Sequence, residues 1–191
     1  MNRFPPIARG DLTLAQAHVV DHYEQGWLKP IADRHGGLPE HLNMTLRRPP
    51  LALALAGVSD YIRTGCLLPK ALIEFAILVV AERCRSATEF EIHAPIAREA
   101  GIADDVIDAL KRGERPTNLT PEQICAHRLA ITLLAQRSVD DRLFKAACEA
   151  FTIEGYVDLV ALIAYYGLVA TALKAAGADS PQLFERLQGG Q

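Results

Sequence analysis

The chain has 191 residues, 50% of them hydrophobic and 23% charged, with a formal net charge of -3. That length suits one domain, or at most two tightly joined helical units, and that apolar content can build a sizeable core. A nearly balanced charge offers no basic excess to hold a phosphate backbone, so nucleic acid is not an expected partner.

Met1 to Asp11 is broken by Pro5 and Pro6 and carries no apolar run, so it is not read as a signal peptide, and a cytoplasmic protein is expected. Residues 1–11 and the glycine-bearing tail 187–191 are expected to be loose ends of one domain spanning 1–191. An amphipathic helix is predicted from about Leu12 to Gln25, with Leu12, Val19, Tyr23 and Trp27 on one side. Its polar side carries His18 and His22, four apart. With no third ligand in sight they read as a solvated face, and no metal is expected.

After Gly36-Gly37, Pro39 opens a short helix that stops before Pro49-Pro50, and another runs from Leu51 to about Arg63. Pro69 opens a strongly apolar helix through Val80. Ser86 to Ala100 forms the next, stopped by Gly101, and Asp104 to Lys111 a shorter one. Thr120-Pro121-Glu122-Gln123 has the form of a capped helix start, and that helix reaches about Gln136. Two more, Asp140 to Phe151 and Glu154 to Ala176, complete an all-α chain. The apolar stretch Val157 to Leu173 contains Asp158 and is closed by Lys174, so it reads as a core helix and no membrane contact is expected.

Cys66, Cys84, Cys125 and Cys148 lie far apart and form no Cys-x-x-Cys pair. The candidate chemistry lies elsewhere. Glu74 sits within Ala71-Leu72-Ile73-Glu74-Phe75-Ala76-Ile77, a stretch apolar all round. A carboxylate there must be paired or hydrogen-bonded, either structurally or as a group tuned for proton transfer. Ser86, Glu89 and His93 are spaced by three and four residues, so they share one helix side. Glu89 can orient the imidazole of His93 as a general acid or base, or it can close a capping box on Ser86. Arg83 and Arg85 are candidate forked donors to a substrate carboxylate. Tyr165 and Tyr166 interrupt an apolar helix, and Tyr165 is taken as the one lining a site. His127, beside Ala126, Leu129 and Ala130, reads as a boundary histidine.

Lys70 to Leu110, with Glu74, Glu89-Phe90, His93 and Ala100-Gly101-Ile102, resembles the core motif of carboxymuconolactone decarboxylase-like proteins of the alkyl hydroperoxidase D superfamily. Many of these have Tyr-Glu-Trp-x-x-His where this chain has Thr88-Glu89-Phe90-Glu91-Ile92-His93. In the hydroperoxidase branch, a Cys-x-x-Cys pair precedes the histidine. Here Ser86 and Glu89 stand at those two positions, so both sulfurs are missing and the disulfide-cycling mechanism is not expected.

The resemblance implies an all-α alkyl hydroperoxidase D-like fold and a homo-oligomer. It also implies cofactor-independent decarboxylation or proton transfer on a small anionic lactone or oxidised ring compound. His93 would be the general acid or base, Glu89 its orienting carboxylate and Glu74 a second such group, with Ser86, Arg83, Arg85 and Tyr165 toward the substrate. Two other readings stand beside it: a thiol-dependent hydroperoxidase that recruits Cys84, and a non-enzymatic helical assembly protein. The catalytic reading requires Glu74, Glu89 and His93 to meet where a small molecule can enter.

Overall fold

Helices α1 (Leu14–Gln25), α2 (Lys29–His35), α3 (Glu40–Thr45), α4 (Pro49–Thr64), α5 (Lys70–Arg83), α6 (Ala87–Glu99), α7 (Asp104–Lys111), α8 (Pro121–Gln136) and α9 (Asp141–Ala176) follow one another in chain order. The computed structural model describes residues 3–35, 38–179 and 184–185, and no strand occurs among them. The tail 187–191 lies outside the described residues. Contacts gather into two compact units, 1–65 with 172–178 and 66–171 with 179–191.

In the first unit, α1 turns Val19, Val20 and Tyr23 inward, while α4 buries Ala52, Ala56, Ser59 and Ile62. The Tyr23 hydroxyl donates to the Ala52 carbonyl at 3.3 Å, and the Trp27 indole N–H donates to Ser59 Oγ at 3.2 Å. His22 does more than face solvent: its Nε2 lies 2.8 Å from the Asp60 carboxylate. The segment expected to be loose at the amino terminus is anchored from Arg3 onward. The Arg3 amide donates to the Ala176 carbonyl at 2.8 Å, and Arg9 pairs with both Asp21 and Glu24. Pro49 and Pro50, read as a stop, are instead the first turn of α4, where their missing N–H groups have no helical partner to lose.

The second unit is built around α5, against which α6, α7 and α8 pack. Every residue of α5 from Leu72 to Ala81 is buried, which explains why its sequence shows no polar side. The expected cap of α8 forms in full: Thr120 Oγ accepts from the Gln123 amide and the Gln123 side chain accepts from the Thr120 amide. Helix α9 is interrupted at Thr152, whose φ of 64° and ψ of 175° separate the two arms expected from sequence. Asp158 in its second arm is buried, and its carboxylate accepts from the Leu67 amide at 2.8 Å. By length and composition alone, α9 is long and apolar enough to cross a membrane, yet half of its most apolar window is buried within the protein.

Candidate active site

Helix α5 ends and α6 begins across three residues, and that tight reversal sets the site. The Ser86 amide reaches back to the Ala81 carbonyl at 2.8 Å and the Arg85 amide to Glu82 at 2.9 Å, closing the last turn of α5. Arg85 therefore takes a left-handed φ of 51°, a place where glycine is the usual residue. With no glycine to mark it, the helix runs to Arg83, three residues past the expected end at Val80. The reversal lays α6 alongside α5 and aims the Glu89–His93 side of α6 at Glu74.

The partner that Glu74 requires is His93. Nδ1 of His93 lies 2.8 Å from Oε2 of Glu74, and Nε2 of the same ring lies 3.7 Å from Oε2 of Glu89, one turn earlier on α6. The first distance is a hydrogen bond; the second is an ion-pair separation. The side chains of Glu74, His93 and Glu89 are 0%, 3% and 5% exposed. With Glu74 ionised, its carboxylate can only accept, and the nitrogen bonded to it then carries the proton. Nε2 is then the nitrogen at which a proton can be gained or given up, with Glu89 beside it.

The tyrosine that packs beside His93 is Tyr166. Its ring meets that of His93 edge-on, with centroids 5.2 Å apart. Tyr165, the residue expected there, is one step or about 100° around the helix and packs against Tyr166 at 5.4 Å.

Ser86 and Arg85 have partners within the chain. The Ser86 hydroxyl donates to Asp179 Oδ2 at 2.5 Å, and the Ala87 amide donates to Asp179 Oδ1 at 3.3 Å. The capping box weighed for Ser86 and Glu89 does not form. Ser86 does meet an anion at the start of α6, but that anion belongs to the chain itself. Arg85 pairs with Glu185 at 3.1 Å, and its guanidinium lies 5.6 Å from the Phe184 ring centre. Arg83 is exposed at the end of α5. Cys84 is the half-buried C-cap residue of α5. His127 is half-buried as expected, and burial together with Arg115 and Arg83 lowers its proton affinity.

No family model and no curated protein matches the sequence. Solved structures do. An uncharacterized peroxidase-related protein from Ralstonia eutropha JMP134, described as an alkylhydroperoxidase AhpD core, superposes with a TM-score of 0.74 at 18% identity, covering 99% of this chain and 97% of that one. The debrominase Bmp8, seen in complex with 2,3,4-tribromopyrrole, gives 0.72 at 16% identity over 96% and 94%. A peroxidase-related protein from Silicibacter sp. TM1040 gives 0.68 at 15% identity over 94% and 93%. Along almost its whole length, then, this chain has the all-α alkyl hydroperoxidase D-like fold.

Proposed function

We propose that Glu74, His93 and Glu89 form the proton-transfer centre of a cofactor-independent enzyme that acts on a small anionic lactone or oxidised ring compound, with decarboxylation as its reaction class. The observation that carries this reading is the imidazole bracketed by two carboxylates, 2.8 Å from one and 3.7 Å from the other. A purely structural pair needs one carboxylate; the second, placed at the other nitrogen, suits a proton that moves.

In the proposed reaction the bond between the ring carbon and its carboxylate breaks, and the electron pair passes through the ring to the lactone carbonyl oxygen. The dienolate then takes a proton at carbon from Nε2 of His93, while Glu74 holds Nδ1–H and steadies the ring. Water restores the proton through Glu89. The ring accepts the electrons, so the protein's part is to position, to stabilise the developing oxyanion and to deliver the proton. The complex of the debrominase of like fold with 2,3,4-tribromopyrrole supports a ring-sized substrate here. A cytoplasmic location and a small molecule as the working partner belong to the same proposal.

The test is a panel of butenolide and related ring carboxylates incubated with the protein in deuterated water, read by carbon dioxide release and by deuterium at the ring carbon. His93→Gln and Glu89→Gln are expected to lower turnover by about 100-fold or more while the fold persists. No turnover across the panel, together with ligand binding that both substitutions leave unchanged, would favour a binding or assembly protein instead.

A further inference from the structure

The centre just described is buried, so a substrate reaches it only if something moves. Three described residues of the carboxy-terminal segment sit on the first turn of α6 and on the two residues preceding it. Asp179, itself 5% exposed, takes the Ser86 hydroxyl and the Ala87 amide. Phe184, fully buried, meets Phe90 edge-on with centroids 6.0 Å apart. Glu185 pairs with Arg85, whose guanidinium also lies over the Phe184 ring.

These contacts converge on one place. Ser86, Glu89 and His93 succeed one another along a single side of α6, so Asp179 closes the end of the very face on which the catalytic pair stands. Phe90 is the immediate neighbour of Glu89, and Phe184 covers it. The outer contact is the one that yields most readily, an ion pair whose partners are 41% and 60% exposed, while Asp179 and Phe184 are buried.

We propose that Asp179, Phe184 and Glu185 form a clip that holds shut the Ser86–Glu89–His93 face of α6, and that its release admits small molecules to His93. The inference rests on the proposed proton-transfer centre being reached from solution. Release exchanges the bonds of Asp179 to Ser86 and Ala87 for bonds to water, and involves no covalent step.

The test leaves activity aside. His93 is modified in the full-length protein with diethyl pyrocarbonate, and its rate is read by peptide mass spectrometry. Amide hydrogen exchange is followed in parallel over residues 87–90. Phe184→Ala removes the buried part of the clip, and Arg85→Ala only its outer part, so that one variant keeps every buried group. Modification of His93 is expected to rise at least tenfold in Phe184→Ala and about threefold in Arg85→Ala, with faster exchange confined to the first turn of α6. Unchanged His93 modification in both variants overturns the clip, as does a rise accompanied by equally faster exchange throughout α5 and α8. A protein inert toward every ring carboxylate but with His93 opened by these substitutions would refute the catalytic reading and keep the clip.

Discussion

Glu74 and His93 show how one buried ion pair shapes its surroundings. Neither is tolerable alone: removing one partner of such a pair leaves the other desolvated and uncompensated, typically at about 3 kcal/mol or more. Glu74→Leu is therefore expected to lower unfolding stability by about 3 kcal/mol in urea titrations, and Glu74→Leu with His93→Phe to recover a large part of that loss. Glu82 makes a milder case on the same helix. Burial raises its proton affinity, and Arg83 and Arg85 offset this only in part. Its folded form thus binds a proton more tightly than its unfolded form, so its contribution is fully present below the ordinary carboxylate range and is lost as pH rises through the raised value. Glu82→Gln is expected to stabilise the protein at pH about 7 and to bring no gain in acid, which paired thermal melts at the two pH values would show. Glu74 and His93 were legible in the sequence because a charge in an apolar run and a carboxylate one turn before an imidazole are both local patterns. Tyr166 and Asp179 were not. Choosing between adjacent tyrosines needs the rotational phase of an apolar helix, and Asp179 meets α6 across 93 residues of chain.

The helices record which local signals bind and which are overridden. Gly101 at φ 96° and Gly113 at φ 72° end α6 and α7 where glycine was expected to end them, and the Thr120 cap forms as its spacing implies. Helix α2 was not anticipated; Pro30 lies in its first turn, where proline is at ease. Thr152 is a more instructive element boundary. Its hydroxyl takes the Gly155 amide at 3.3 Å and so caps the second arm of α9, yet a β-branched residue at φ 64° and ψ 175° is strained. Replacing a threonine cap by glycine costs only a few tenths of a kcal/mol, less than the roughly 1 kcal/mol or more stored in such a conformation. Thr152→Gly is accordingly expected to raise the thermal midpoint, and a lowered midpoint would mean that the cap outweighs the strain.

At the scale of the molecule, an all-α architecture was legible from helical periodicity. The apolar excess finds two outlets. Half of the most apolar window of α9 is buried, and the helix exposes Ile153, Val157 and Leu168 at 49%, 57% and 42%. Ile153 and Val157 are one turn apart, and Leu168 lies three turns further along the same side. The homo-oligomer we propose would cover this stripe with a second copy. Light scattering is expected to give a mass of at least two chains, and Val157→Glu with Leu168→Glu to reduce it to one; a monomeric native protein would remove the oligomer from the account.

One imidazole bracketed by two carboxylates, with its moving proton on Nε2, has a direct signature in nitrogen-15 NMR of the His93 ring. A proton is expected on Nδ1 throughout, with a shift of the Nδ1 signal in Glu74→Gln and a shift chiefly of Nε2 in Glu89→Gln. A ring protonated on Nε2 alone, or signals indifferent to both substitutions, would contradict this arrangement.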